Sequence, residues 1–316
     1  MSSVTHTSGN YIVDRRLSYA QAAFDAEDWQ TAIDVLEQTL EEEPHFVPVL
    51  ILLARALIAS EKPLSEIKHQ TVVNYMNTAL EIDPQDPLGA RLILTQLGET
   101  QGDQALSNAF IAGLFDQYAS RFDHHLVHDL HYRAPQVLLE ALQKAFLKDQ
   151  KPFTFSHVLD VGCGTGLMGE VLRPCARHMI GCDLSEKMIA QARTKQCYND
   201  LHVDDIHTFL SNMPEESADL IVAADVLVYV GALTHFSALS FNVLSKGGYL
   251  AFTLQSYPDH FAAPYHLGED QRYSHQRDYS VLELMKSGFQ IVSCEETSTR
   301  HDRGQAVAGL VIIAQK

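Results

Sequence analysis

The stretch Val158-Leu-Asp-Val-Gly-Cys-Gly-Thr-Gly166, followed by Met179-Ile-Gly-Cys-Asp183, constrains this chain more than any other. An apolar run leads into a glycine-dense turn, a helix is expected over 165–172, and a second apolar run ends on a carboxylate. Glycine has no Cβ, so such a turn takes up positive φ and lets a ligand approach the backbone. The helix behind it presents free N–H groups and the positive end of its dipole to an anionic group. Asp183 lies 17 residues after Gly166, where one carboxylate can accept both hydroxyls of a ribose. Strand, turn, helix and acid-tipped strand together describe a site for a nucleoside-bearing cofactor.

Spacing narrows the cofactor. Gly162, Gly164 and Gly166 make G-x-G-x-G with Asp160 two residues ahead, and Leu167 stands where the dinucleotide pattern G-x-G-x-x-G needs its last glycine. A nicotinamide oxidoreductase is therefore disfavoured. The pattern D-x-G-x-G-x-G resembles motif I of class I S-adenosylmethionine (SAM) methyltransferases. That resemblance implies SAM as cofactor, with Asp160, Gly162, Cys163, Gly164, Gly166 and Asp183 against it and no metal. It implies Leu184 and Met188 beside the adenine, Asp205 and Ile206 at the adenine amino group (Asp204 being an alternative by one residue), and Ala224 and Asp225 as further cofactor contacts where the fourth strand ends, bordering the acceptor pocket.

From His157 onward, apolar strand patterns alternate with helical ones. Strands are expected over 157–162, 178–184, 201–205, 219–226 and 249–255, with helices over 186–194 and 233–244. Gly247-Gly248 reads as the turn into the fifth strand. Ser280-Val-Leu-Glu283 reads as a capping box for a last helix ending at Gly288. The runs 290–294 and 306–314 then face each other across Arg300-His-Asp-Arg-Gly304 as an antiparallel hairpin. The expected fold class is α/β, a Rossmann-like sheet of parallel strands closed by a C-terminal antiparallel hairpin, which resembles the class I methyltransferase fold.

The first third is helical and repetitive. Ala20, Ala23, Ala32, Leu36 and Pro44 fall at helix-pair spacing, and Leu40-Glu-Glu-Glu-Pro44 recurs as Leu80-Glu-Ile-Asp-Pro84. The prolines are 40 apart, against a tetratricopeptide period of about 34, and 61–66 supplies an insertion. Ala54 and Ala79 take the small positions of the second unit, and 87–98 opens a third. This resembles degenerate tetratricopeptide repeats, which implies a protein partner or self-association through the helices. The domains are expected at 1–104, all-α and repeat-like, and 105–316, the methyltransferase, with 105–150 covering the cofactor site.

A further resemblance begins at Phe115-Asp-Gln-Tyr118-Ala-Ser-Arg-Phe122-Asp-His-His125 and continues through Leu130-His-Tyr-Arg-Ala-Pro135, Gly268–His275 and Tyr279. Together these resemble bacterial methyltransferases that carry tetratricopeptide repeats, whose catalytic domain is similar to the ubiquinone-biosynthesis type. Phe115, Tyr118 and Phe122 share a helix face and are placed to close over the cofactor, with the Tyr118 hydroxyl near its charged end. His125, matching the family motif, is the preferred acceptor-site histidine. Methyl transfer is an in-line displacement that needs alignment above all. His125 or His275 would serve as base, Tyr229 would position the acceptor, and Arg272 with Tyr273 would bind it, Arg272 through a carboxylate or phosphate. His124, His128 and His131 also share a face, but no carboxylate cluster accompanies them and a metal site is not favoured. The acceptor is a small molecule or a protein side chain, the former slightly favoured. The competing reading is a scaffold whose SAM site binds without turnover.

Bulk properties fit this frame. The net charge of −17 and pI near 5.3 disfavour duplex nucleic acid and anionic membranes as partners. Five cysteines without C-x-x-C spacing read as reduced thiols. Residues 1–10 lack a basic start and an apolar run, and the most apolar stretch, 46–59, is too short to span a bilayer. A cytoplasmic location is the expectation.

Overall fold

Alanines set the spacing of the helices in the first part of the chain. In the computed structural model, which describes residues 7–100, 105–124, 132–149, 152–258, 263–302 and 304–316, the helices are α1 (Tyr11–Asp25), α2 (Trp29–Glu42), α3 (Val47–Ser60), α4 (Glu66–Ile82) and α5 (Ala90–Gln96). The Asn10 and Asp28 side chains cap α1 and α2 by accepting from Ile12 N and Thr31 N. Ala20, Ala32, Ala54 and Ala79 are buried with Leu36, Leu50, Leu53, Val72 and Met76 in one core. α2 and α4 stop two residues short of Pro44 and Pro84, which cannot continue a helix. The expected insertion is the connection from α3 to α4.

The chain divides into two units, Met1–Gly113 and Leu114–Lys316. The second begins within α6 (Asn108–Tyr118) and continues through a 3-10 turn, Ala119–Arg121, into α7 (Phe122–His124) and then α8 (Ala134–Asp149). The stripe Phe115, Tyr118, Phe122 is thus not one continuous helix. The break still keeps the rings together, with centroids 6.0 Å apart for Phe115–Phe122 and 5.3 Å for Tyr118–Phe122.

An α/β sheet follows. Its elements are β1 (Phe155–Val161), α9 (Leu167–Leu172), β2 (Ala176–Asp183), α10 (Glu186–Thr194), β3 (Asp200–Val203), α11 (Ile206–Asn212), β4 (Ala218–Ala223), α12 (Thr234–Val243) and β5 (Leu244–Ser256). They continue as β6 (Tyr265–Leu267), β7 (Tyr273–His275), α13 (Arg277–Ser287), β8 (Gln290–Thr297), β9 (His301–Asp302), β10 (Gln305–Ala306) and β11 (Gly309–Gln315). The sheet order is β3-β2-β1-β4-β5-β11-β8. Neighbours from β3 to β5 pair in parallel, whereas β11 runs antiparallel to both β5 and β8. This is the Rossmann-like sheet with its terminal antiparallel hairpin that the sequence implied. Alternate residues bury into opposite layers: Leu310, Ile312 and Ala314 on one face of β11, Val311 and Ile313 on the other. Such two-sided burial is what a sheet covered by helices on both faces requires.

Two local expectations fail for physical reasons. Gly247-Gly248 is not the turn into β5 but lies inside it, where the β4–β5 register shifts. A Cβ at 248 would sit 2.9 Å from the carbonyl oxygen of Ser245 in its own strand and 3.2 Å from those of Ala218 and Asp219 in β4, so backbone closes in from both strands there. Ser280 does not cap α13. The helix starts at Arg277, and the Ser280 hydroxyl donates back to the Gln276 carbonyl from within it. The helix does end at Gly288, in the left-handed region. No described helix is long and apolar enough to cross a membrane.

Candidate functional site

Topology decides where a ligand can sit. The strand order reverses between β1 and β4, and the crevice beyond the C-terminal ends of parallel strands at such a point is the ordinary binding place. The glycine turn follows β1, Asp183 is the last residue of β2, and Asp225 lies in the loop after β4.

Gly162, Gly164 and Gly166 all have positive φ, +69°, +53° and +90°. At Gly162 a Cβ would lie 2.2 Å from Val226 Cγ2, so the turn presses against the loop after β4. Gly164 is open by contrast: the nearest side-chain atom to a Cβ there is Phe122 Cε1 at 3.9 Å. The helix behind the turn is shorter than expected, starting at Leu167 with Gly166 as its cap. Its dipole contributes correspondingly less, and the turn is held by its own N–H groups, Cys163 N donating to the Cys182 carbonyl and Gly166 N to the Cys163 carbonyl. Gly164 N donates to Asp183 Oδ2 at 2.9 Å and Ser185 N to Asp183 Oδ1 at 2.9 Å. Burial pushes the Asp183 carboxyl up to about 6.

Asp160 lies beneath the turn, fully buried. Its Oδ2 accepts the Tyr198 hydroxyl at 2.6 Å. Its Oδ1 is buried and has no hydrogen-bond partner among the described residues. Burial lifts this carboxyl to about 7, against the pull of the Tyr198 hydrogen bond. An orphaned buried carboxylate oxygen beside a turn left open at Gly164 fits a ligand carrying a cationic group, as the ammonium of SAM's methionine moiety is. Cys163 is buried in the turn.

The residues expected beside the adenine differ in exposure. Leu184 is half-buried and Met188 fully buried after Ser185, whose hydroxyl accepts from Met188 N. Asp205 caps α11, its Oδ1 accepting from His207 N and Thr208 N, and Ile206 is buried. Asp204 Oδ1 accepts from Asp205 N.

Across the crevice, Asp225 has φ +58°, unusual for a non-glycine residue, and its N–H donates to Thr253 Oγ1 at 2.8 Å. Its Oδ2 meets Arg272 Nη1 at 3.4 Å and Arg300 Nη1 at 3.3 Å. Arg300 also donates to Gln255 Oε1 at 2.9 Å. The Arg272 guanidinium lies 5.6 Å from the Tyr229 ring centroid, and Phe115 meets the same ring edge-on at 5.3 Å. Tyr132 donates to the Ala224 carbonyl at 3.5 Å. Burial pushes the Tyr229 phenol up to about 12.

Two predicted residues are held away from the crevice. Tyr273 is 1% exposed and packs edge-on against Tyr265; His275 is 0% exposed, between Tyr265 and Tyr279. His275 Nε2 donates to the Gly231 carbonyl at 2.8 Å, and burial drops the imidazole to about 4. His125, His128 and His131 lie outside the described residues. Among the described residues no His, Cys, Asp and Glu group has a metal-binding arrangement.

Sequence reasoning missed several partners. Asp116 Oδ1 accepts from Ser185 Oγ at 2.5 Å and from Lys187 N at 3.2 Å, tying α6 to the start of α10. Asp123 bonds Thr165 and pairs with Lys195 at 2.9 Å. With Phe122 beside Gly164, the segment from Phe115 to Asp123 forms a strap over the turn. Tyr198 and Arg300 were missed because their partners are far away in the chain. The signal for Tyr198 was present, however, in two glycines outside any turn, Gly169 and Gly181.

Residues 159–252 match the methyltransferase domain family, and residues 23–63 match the tetratricopeptide repeat. A ubiquinone biosynthesis O-methyltransferase of Ruegeria sp. (strain TM1040) is 29% identical over 104 residues, 32% of this chain and 42% of that one. The mitochondrial ubiquinone biosynthesis O-methyltransferase of Mus musculus is 29% identical over 162 residues, 49% of this chain and again 42% of the other. The chain thus spans less than half the length of these curated relatives. Among solved structures, a Burkholderia thailandensis 1,6-didemethyltoxoflavin-N1-methyltransferase superposes with a TM-score of 0.49 at 16% identity, over 69% of this chain and 93% of that one.

Proposed function

We propose that this chain, which carries a class I SAM-dependent methyltransferase domain behind tetratricopeptide-type helices, moves a methyl group to a small-molecule acceptor in the crevice between the glycine turn and Asp225. The observation that carries this reading is the turn itself: three left-handed glycines, one of whose N–H groups is fixed on Asp183. When bound, the cofactor's sulfonium supplies an electrophilic methyl group. The protein's part is to bind, orient and keep water out.

Asp160 Oδ1 offers an acceptor to the cofactor's ammonium group, and Asp183 offers its remaining lone pairs to the ribose. Leu184, Met188, Asp205 and Ile206 line the adenine side. Tyr229, held as a neutral phenol, orients the acceptor by hydrogen bonding rather than taking its proton. Arg272 is the cation for a carboxylate or phosphate on the acceptor. Alignment of this kind lowers a barrier by up to about 7–11 kcal/mol. His125 is the proposed base. His275, buried and weakly basic, instead holds the loop at Gly231. Phe115, Tyr118 and Phe122 close an apolar wall around the turn, which favours a small acceptor over a protein side chain. The helical repeats are proposed to dock a protein partner or a second copy.

Calorimetric titration tests the cofactor: heat with SAM or S-adenosylhomocysteine and none with NAD is expected, and the reverse would overturn the reading. Incubation with tritiated SAM and a size-fractionated lysate tests the acceptor. Label is expected in small organic compounds; label in protein would replace that part of the proposal.

A further inference from the structure

Tyr198 is built into the floor of the cofactor turn. Its ring lies across three residues that lack a Cβ. A Cβ on Gly166 or Gly181 would come within 3.0 Å of the ring, and one on Gly169 within 2.5 Å of its hydroxyl. Gly169 is inside a helix, where glycine costs about 1 kcal/mol relative to alanine, and has no positive φ to justify it. Room for Tyr198 is the reason the geometry gives. The ring is thereby fixed with its hydroxyl 2.6 Å from Asp160 Oδ2, leaving Oδ1 as the oxygen without a partner.

We infer that Tyr198 is a positioning residue for the methyl donor: seated on Gly166, Gly169 and Gly181, it orients the Asp160 carboxylate and keeps it ionised for the cofactor's cationic end. The inference rests on the proposed SAM site and deepens it. The hydroxyl stabilises the charged form of Asp160, opposing burial, which favours the neutral form. The other titratable groups facing Asp160 are Asp183 from β2, the thiols of Cys163, Cys182 and Cys197, and Tyr132. Among them Tyr198 is the one that donates a hydrogen bond to Asp160. Without it the carboxyl holds its proton to higher pH, and a neutral acid does not attract a cation.

Two measurements on the full-length chain test this. The first is calorimetry with S-adenosylhomocysteine from pH 6 to 9 on wild type, Tyr198→Phe, Gly169→Ala and Asp160→Asn. Tyr198→Phe is expected to bind on the order of tenfold more weakly at pH 7, with the gap closing toward pH 9. Gly169→Ala, which pushes the hydroxyl away from the other side, should reproduce that pattern. In an Asp160→Asn background Tyr198→Phe should have no further effect. A loss of equal size at every pH, or no loss, would overturn the inference. The second is a carbon-13 titration of the Asp160 carboxyl in the ligand-free protein, where Tyr198→Phe should raise the midpoint; an unmoved midpoint also overturns it. If wild type gives no heat at any pH while the midpoint moves, it is the SAM reading that fails.

Discussion

Asp183 holds two backbone N–H groups, those of Gly164 and Ser185, and so shapes the turn as well as offering a ribose acceptor. Asp183→Ala leaves both donors unpaired in a buried site, which costs about 1–3 kcal/mol. The variant also lacks the proposed charged acceptor for the ribose hydroxyls, worth about 1.5–3 kcal/mol, so S-adenosylhomocysteine should bind roughly 10- to 100-fold more weakly by calorimetry. Asp160 makes a prediction about pH. Its folded-state pKa, about 7, lies above the ordinary carboxyl value, so the folded protein binds this proton more tightly than the unfolded chain does. Stability from this group is present in acid and is lost as pH rises from about 4 to about 7. Asp160→Asn removes that loss. Thermal melts of the ligand-free protein should show the variant gaining on wild type at pH 8 and not at pH 4.5.

At the scale of elements, the strap formed by α6, the 3-10 turn and α7 is tied at Asp116 and Asp123 rather than by a deep core. Asp116→Ala frees α6 from Ser185 and Lys187 without opening the sheet. The expected result is dissociation of S-adenosylhomocysteine faster by several-fold in stopped-flow measurements, with the melting temperature nearly unchanged. The sequence showed the strap's aromatic stripe but not its ties, because Asp116 and Ser185 are 69 residues apart and neither belongs to a local pattern. The same holds for Arg300 and Asp225, 75 apart. By contrast the glycine turn, the acid at the end of β2 and the terminal hairpin were legible, since each is written in neighbouring residues. Ser280 misled because Ser-x-x-Glu is only a capping signal where the preceding residues are not already helical. Gly247-Gly248 misled because close strand approach and tight turns call for the same residue.

For the whole molecule, each unit has a core of its own: Leu36, Leu53 and Met76 in the first, and layers on both sides of the sheet in the second. A ligand held entirely by the second unit stabilises that unit by mass action, about 2.7 kcal/mol at a hundredfold excess over Kd. Scanning calorimetry should therefore resolve two transitions, only one of which moves upward with S-adenosylhomocysteine. A single transition that shifts as one would mean that the repeats and the sheet unfold together. The acidic surface, with its charge of −17, also makes the encounter with an anionic acceptor slower at low ionic strength, leaving Arg272 and Arg300 to supply local attraction.

Arg300 reaches Asp225 from the connection between β8 and β11, well apart in the chain from the glycine turn and Asp183. On the proposed reading, in which the acceptor lies beside Asp225, recognition of donor and recognition of recipient rest on separable stretches of polypeptide. If that reading holds, exchanging the connector between homologous enzymes is expected to change which compound takes the label from tritiated SAM while the affinity for S-adenosylhomocysteine stays the same, which would make the rim of the site a selectivity dial on an otherwise fixed machine.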